Sequence, residues 1–307
     1  MITTVCMNPS FDKTASLEHF SLGGMNRLSD VRLDLGGKGL NVAVVLARLG
    51  VSVHCVGCLG ETNASEFRHL LEKENVRFES LLLPGDVRTN LKIYDESAKS
   101  ITEFNEPGPQ MTEDQLKAFL KLLEEKAKGS GYVVLSGRLP SGCADDTYQR
   151  CLQALAGKKC VLDSAGDSLL YGIKEKPFLV KPNLPEIEGI VRKELKTLRG
   201  IREAALFLME YGAQNVIVSM GKYGAMLITP EKSLFAPAIQ VETKSTVGAG
   251  DAMIGGLMMG LDSGAPLEEA FRFGVAAGAA SVMTDGTQLL HREAFETLLP
   301  RAVVQEV

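Results

Sequence analysis

The chain has 307 residues, 45% of them apolar, and a formal charge of −5 with no block of Lys or Arg. That suffices for one large α/β domain or two smaller ones and gives no sign of a nucleic-acid-binding surface. No run of about twenty apolar residues is present to span a membrane, and Met1–Val5 lacks the basic region and apolar core of a signal peptide, so a cytoplasmic protein is expected. The six cysteines are scattered through apolar segments, as reduced thiols are. Cys55 and Cys58 have C-x-x-C spacing. They sit, however, in an alternating strand-like stretch, which points residues three apart to opposite faces, and no second Cys/His pair accompanies them. The four histidines form no metal motif.

Ile2–Met7 reads as a strand ending at Asn8-Pro9, where proline stops ladder donation. Asp12 follows just past its end. In parallel sheets sites gather there, although a solvated loop acid is the alternative. Val31, Leu33 and Leu35 alternate with charged residues, as on a half-exposed strand. They run into Gly36-Gly37-Lys38-Gly39-Leu40-Asn41 and a helical stretch, Val42–Leu49, closed by Gly50. This is no Walker A loop, since Gly39 follows Lys38 where Ser or Thr is needed. Val51–Val56 reads as a strand and Ala64–Glu74 as a helix. Val76–Leu83, Val87–Tyr94 and Ser100–Phe104 then break the βα rhythm. With the 20s and 30s they are expected to form a small projecting sheet, a lid able to exclude water. Arg88, Asn90 and Lys92 share one of its faces, which faces either a ligand or solvent.

From Thr112 the pattern is regular βα. Thr112 and Gln115 form a capping box for a helix to about Lys128. Tyr132–Leu135 is a buried strand ending at Ser136-Gly137-Arg138. Lys159–Leu162 ends at Asp163-Ser164, and Phe178–Val180 leads to Lys181-Pro182-Asn183, with Glu186 one turn on. Val216–Val218 leads to Ser219-Met220-Gly221, with Gly224 nearby. These strand ends are expected to converge on one crevice. Thr246-Val247-Gly248-Ala249-Gly250-Asp251 then opens an apolar helix. Its first N–H groups lack partners and its dipole is positive there, so Gly248–Gly250 make an anion pocket, with Asp251 beside it as a base. The plainer alternative is a turn and a capping acid. A dinucleotide fingerprint fails, because Met253 stands where its third glycine belongs. A last small-residue helix, Pro266–Met283, carries Ala276, Ala277, Gly278, Ala279 and Ala280, suited to close helix packing or to a wall for a flat ring.

Gly36–Asn41, Lys181-Pro182-Asn183 with Glu186, and Thr246–Asp251, in that order across nearly the whole chain, resemble the phosphofructokinase-B, or ribokinase-like, family of carbohydrate kinases. The resemblance implies one α/β domain over residues 1–307: three α/β/α layers, a mainly parallel central sheet, and a small β lid from segments near 12–35 and 87–105. It implies transfer of the γ-phosphate of Mg-ATP to a sugar hydroxyl, and often a homodimer through the lids. By matching position, Asp251 is the catalytic base and Gly248, Ala249 and Gly250 the anion hole. Lys181, Asn183, Ser219, Gly221, Gly224, Thr246 and Gly278 fall at the ATP site. Asn183 and Glu186 act on Mg²⁺ through water.

Asn8–Asp12, Arg88–Lys92 and Asn105–Gly108 look most like the 1-phosphofructokinase branch, which acts on fructose 1-phosphate. The alternatives are tagatose-6-phosphate kinase, 6-phosphofructokinase, or a sugar-phosphate sensor without catalysis. Asp12, Gly37, Asn41 and Ser136 are expected on the sugar. Lys38, Arg88 and Asn90 are expected on its existing phosphate, and Arg138, which replaces the family's second serine, either grips that phosphate or points away. Arg27 is a lid residue that a second subunit would bring to the site.

Overall fold

The strands fall into two sheets, a large one whose central strands are buried along their length and a small one with exposed outer strands. The computed structural model describes residues 1–307. In chain order, β1 (Ile2–Cys6) leads to β2 (Ser10–Leu17), β3 (Ser29–Gly36), α1 (Lys38–Arg48), β4 (Val53–Gly60), α2 (Ala64–Leu71) and β5 (Arg77–Leu83). Then come β6 (Arg88–Asp95), β7 (Ser100–Asn105), α3 (Glu113–Ala127), β8 (Tyr132–Ser136), α4 (Thr147–Ala154), β9 (Lys159–Asp163) and α5 (Gly166–Ile173). The remainder is β10 (Leu179–Val180), α6 (Leu184–Val191), α7 (Leu198–Glu210), β11 (Val216–Ser219), β12 (Ala225–Ile228), β13 (Ser233–Ala236), α8 (Ala249–Asp262), α9 (Leu267–Ser281), α10 (Arg292–Leu298) and β14 (Gln305–Glu306).

The large sheet has ten strands in the order β14-β13-β12-β11-β10-β9-β8-β1-β4-β5. From β11 through β5 every pairing is parallel. The βα alternation requires this, because each helix returns the chain to the same edge. One apolar cluster packs α1, α2, α8, α9 and α10 on one face of this sheet, and a second packs α3 to α7 on the other. Cys55 belongs to the first and Cys58 to the second. The expected opposite facing of the C-x-x-C pair is therefore observed, and all six cysteines are free. No helix is long and apolar enough to cross a membrane.

The small sheet has the order β3-β2-β6-β7, with β2 and β6 parallel and the outer pairs antiparallel. Two sequence expectations are corrected. Residues 76–83 do not join it: β5 lies at the edge of the large sheet, paired with β4 along its whole length. Its pattern misled because an edge strand is half-exposed and alternates like a lid strand. Asp12 is not in a loop either, because the chain resumes as a strand one residue after Pro9. The antiparallel edge β12 to β14 was not anticipated from the sequence.

The helices of the last third are held close by small residues. A side chain at Gly256 would enter Phe273 and Ala277, and one at Gly260 would enter Ala270. Ala276, Ala277 and Ala280 are fully buried in this contact, whereas Gly278 and Ala279 line a cleft. The small-residue stripe thus packs the helices closely and also reaches the cleft.

Candidate active site

The chain runs outward from β1 to β4 and β5, then returns to β8 and proceeds the other way to β11. Between β1 and β8 the strand order reverses, and a crevice opens at the carboxyl ends, as such switch points require. A cleft of about 840 Å³ lies there. It is lined by strand-end residues Ser136, Asp163, Lys181 and Ser219, by the starts of α1 and α8, and by the lid. Every residue expected at the site lines this cleft except Glu186 and Arg27. Arg27 is exposed in the β2–β3 loop.

At one end sits the start of α8. Gly248 is its N-cap with φ +76°, and no side chain caps this terminus. In α3, α6 and α7, by contrast, Thr112, Asn183 and Thr197 cap the first turn. α1, α2, α4, α5, α9 and α10 also start without a side-chain cap; at α8 the Ala249 N–H reaches the Thr246 carbonyl at 3.4 Å, and the Gly250 and Asp251 N–H groups are left for a ligand. A Cβ at Gly250 would lie 3.2 Å from Lys181 Nζ, which places that ammonium against the helix mouth. Asp251 is 6% exposed and makes no capping bond; its Oδ2 accepts from Asn41 Nδ2 at 2.7 Å. The capping alternative is thereby removed. Burial, then the nearby Asp163 charge, push the Asp251 carboxyl up to about 6, against the pull of Lys38, Asn41 and Lys181. A carboxylate with that value is a competent base near neutrality.

Asp163 was expected only as one of the strand ends that converge on the crevice and was given no role. It is 1% exposed and sits between two lysines: Oδ1 is 3.3 Å from Lys181 Nζ, and Oδ2 is 3.4 Å from Lys38 Nζ. Ser136 Oγ donates to Oδ2 at 2.8 Å. Burial disfavours its charge, but Lys181, Lys38 and Ser136 together hold its carboxyl below the usual range. The available signal was position alone, since it ends its strand as Ser136 ends β8. Cys6 and Asn8 were also unassigned and line the cleft floor; burial pushes the Cys6 thiol up to about 11, so it is inert.

At the lid end, Arg88 donates to Asn90 Oδ1 at 2.7 Å and to the Asn8 carbonyl at 3.3 Å. Asn90 Nδ2 donates to Asp12 Oδ1 at 2.8 Å and to Ser10 Oγ at 3.0 Å, and Lys92 Nζ pairs with Asp12 Oδ2 at 3.2 Å. The Arg88–Asn90 face is thus turned inward and buried, not solvated. Burial lowers the Arg88 pKa, and Arg138 adds to this as a like charge. Two guanidinium groups that face one cleft and destabilise each other are suited to an anion between them. Lys38 lines the cleft as expected, but toward its other end. Its ion-pair partner is Asp163, at the α8 end, rather than the Arg88 cluster. As the first residue of α1 it extends past the last residue of β9, which the linear spacing to Arg88 does not reveal.

Asn183 and Glu186 cap α6 reciprocally: Asn183 Oδ1 accepts the Glu186 N–H at 2.9 Å, and Glu186 Oε2 accepts the Asn183 N–H at 2.8 Å. On the far side, Ile239, Val241, Val275, Gly278, Ala279 and Val282 form an apolar wall beside Ser219–Gly224.

The pattern of the pfkB family carbohydrate kinases matches residues 6–293. The chain is 35% identical over 306 residues to 1-phosphofructokinase from Bacillus subtilis, spanning 99% of both chains. It is also 35% identical over 302 residues to 1-phosphofructokinase from Vibrio cholerae, spanning 97% of this chain and 94% of the other. Among solved structures it is similar to phosphofructokinase-2 from Escherichia coli, with a TM-score of 0.91, 31% identity and 98% of both chains covered. A family pattern that spans nearly all of the cleft-lining residues and relatives alike over almost the whole length agree: the chain belongs to the pfkB family of carbohydrate kinases.

Proposed function

We propose that this kinase transfers the γ-phosphoryl group of ATP to the free primary hydroxyl of fructose 1-phosphate, giving fructose 1,6-bisphosphate and ADP. The observation that carries the reading is one cleft with two anion-holding ends. Gly248–Gly250, Lys181 and Asp251 stand at one, and Arg88 with Arg138 at the other. An unphosphorylated sugar would have no use for the second. The near full-length relatives named 1-phosphofructokinase favour the 1-phosphate over a 6-phosphate.

In the proposed step, Asp251 accepts the proton of the sugar hydroxyl as its oxygen bonds to the γ-phosphorus. The bond to the β–γ bridging oxygen breaks, and ADP leaves. Donors at Gly248–Gly250 meet the charge that develops on the phosphoryl oxygens. Arg88 and Arg138 hold the existing phosphate, and Asp12, Gly37, Asn41 and Asn90 surround the sugar, while the Ser136 hydroxyl is engaged by Asp163. Ser219, Gly221, Gly224, Thr246 and Gly278 border the nucleotide, whose flat ring suits the apolar wall. Asn183 and Glu186 fit a water-mediated role toward Mg²⁺. Both are committed to the α6 cap, yet Glu186 Oε1 keeps its lone pairs. No three His, Cys, Asp or Glu side chains gather around one point, so phosphate oxygens and water would complete the coordination. When bound, Mg²⁺ neutralises phosphate charge.

The whole chain acts as one kinase domain, with β2, β3, β6 and β7 as the lid that excludes water. Leu22, Met25, Val31, Ile101 and Phe104 are exposed on that lid and support a homodimer through it. Free, mostly buried cysteines support a cytoplasmic setting.

The test is ADP release with Mg-ATP and, in parallel, fructose 1-phosphate, fructose 6-phosphate and tagatose 6-phosphate. The highest kcat/KM is expected for fructose 1-phosphate. A 6-phosphate preference overturns the substrate assignment but keeps the chemistry. Binding of a phosphosugar with no ADP release from any supports the sensor alternative.

A further inference from the structure

The phosphoryl-transfer step uses Asp251 and the α8 mouth and leaves the most enclosed carboxylate of the cleft without a part. Asp163 ends β9, and three other elements converge on it: α1 through Lys38, the end of β10 through Lys181, and β8 through Ser136. Its two oxygens are divided. One faces Lys181 at 3.3 Å, and the other faces Lys38 at 3.4 Å while accepting the Ser136 hydroxyl at 2.8 Å. The Lys181 ammonium also stands against Gly250 at the mouth of α8. Two ammonium groups are thus spaced by a single carboxylate next to the anion pocket. Without its charge they repel each other in a partly buried site, where such repulsion is weakly screened.

The surroundings exclude other roles for this group. Both of its oxygens already face cations, so a metal ion would first have to displace a lysine. Its proton is held off by those same cations, so it does not compete with Asp251 as a base. Its side chain is 1% exposed against 42% for that of Lys38, so a ligand in the cleft meets that ammonium before the carboxylate.

We infer that Asp163 is a positioning residue for phosphoryl transfer: it holds Lys38 and Lys181 as a two-ammonium clamp for the oxygens of the transferring group, and touches neither sugar nor nucleotide itself. This rests on the kinase reading and adds Lys38 to the transfer end of the cleft. The three charges sum to +1, which leaves the clamp attractive to a polyanion while the carboxylate stabilises the lysines in the free enzyme.

A double-mutant cycle on the full chain tests it, with Asp163→Asn, Lys38→Met and both together. Asp163→Asn is expected to lower kcat by about 10²-fold, the size of losing one transition-state donor, with KM for the phosphosugar within about threefold. Lys38→Met should behave alike. Because one acts through the other, the double variant should lose no more than about threefold beyond the worse single. ATP affinity by calorimetry gives the same cycle a readout that needs no turnover, with the same non-additivity expected.

Losses that multiply overturn the inference, because Asp163 would then act independently of Lys38. A rise of about tenfold or more in the Mg²⁺ requirement of Asp163→Asn also overturns it, in favour of a metal ligand. If Asp163→Asn does not fold, Ser136→Ala is the second variant. It loosens one oxygen of the same carboxylate and should cost about three- to tenfold in kcat, an effect that vanishes once Lys38 is Met. An effect that persists in the Lys38→Met background refutes the link. A wild type that turns over no phosphosugar refutes the kinase reading instead, and the calorimetric cycle still decides the role of Asp163.

Discussion

Replacing Asp251 by Asn tests the electrostatics of the cleft and its chemistry in a single variant. The carboxyl is raised from 3.8 to about 6, with burial as the main cause and the Asp163 charge second. Below 3.8 both folded and unfolded states are protonated and the group contributes nothing to stability. Between 3.8 and about 6 the unfolded chain ionises first and is favoured; above about 6 the full penalty stands. At 1.36 kcal/mol per pH unit, ionised Asp251 costs the fold about 3 kcal/mol at pH 8. Asn has nearly the same shape, can stay paired with Asn41, and carries no charge. The variant is therefore expected to melt higher than wild type at pH 8. For a chain of this length, with about 2.1 cal/mol/K of unfolding entropy per residue, the gain is on the order of 5 °C. It should shrink steadily toward pH 4. Turnover should fall by about 10²–10⁴-fold in the same preparation, with substrate binding within a few-fold. Differential scanning calorimetry across pH and an ADP-release assay read both. An equal or lower melting temperature at pH 8, or a difference independent of pH, would refute the electrostatic argument; near wild-type turnover would refute the base assignment.

The same raised carboxyl predicts an acid limb in kcat/KM. The rate should fall about tenfold per unit below pH 6, because the base is then protonated, and level off above it. Arg88→Met is expected to raise KM for fructose 1-phosphate about 10- to 100-fold, the value of a charge-assisted hydrogen bond, with kcat little changed. A kcat loss without a KM change would remove Arg88 from the existing phosphate. Gly248→Ala forces a left-handed residue at φ +76° and places Cβ 2.8 Å from Leu289 Cδ2. The strain of about 1–2 kcal/mol should lower the melting temperature by about 2–3 °C, and kcat should drop as the donors shift. Ile101→Glu places a charge on the exposed lid, and sedimentation velocity should report a smaller species than wild type; an unchanged sedimentation coefficient would move the subunit contact elsewhere.

The chain's local chemistry carried much of this architecture. The Thr112–Gln115 capping box was readable because it needs only residues three apart, and it is present with both bonds. The opposite facing of Cys55 and Cys58 followed from strand pleating alone. Strand partnership was less legible. Residues 77–83 have the alternation of a lid strand, but which sheet receives them depends on β4, more than twenty positions earlier in register. Most of the cleft was legible because strand ends and helix starts are marked by Gly, Ser, Asn and Lys. Asp163 was not, because a lone acid at a strand end is uninformative until Lys38 and Lys181, 125 positions before and 18 after, are brought to it. The Lys38 assignment shifted for the same reason: which anion a lysine faces is set by the packing of α1 against β1 and β8, a tertiary property with no signature in the motif.

The small sheet is tied to the large one by very short joints. β1 and β2 are separated by Met7–Pro9, and β3 and α1 by Gly37 alone. The other two crossings are residues 84–87 and 106–112. Any rocking of one sheet against the other must bend the backbone at these points, and one of them, Gly37, itself lines the cleft. Joint and cleft lining thus adjoin: Asp12 lies three residues past Pro9 and Asn41 four past Gly37. On the proposed function, a sugar seated between Asp12, Gly37 and Asn41 would brace the joint, so that occupancy and angle would be one variable. Substitutions at the joint should accordingly never tune affinity without also altering the rate at which the cleft opens to release its product.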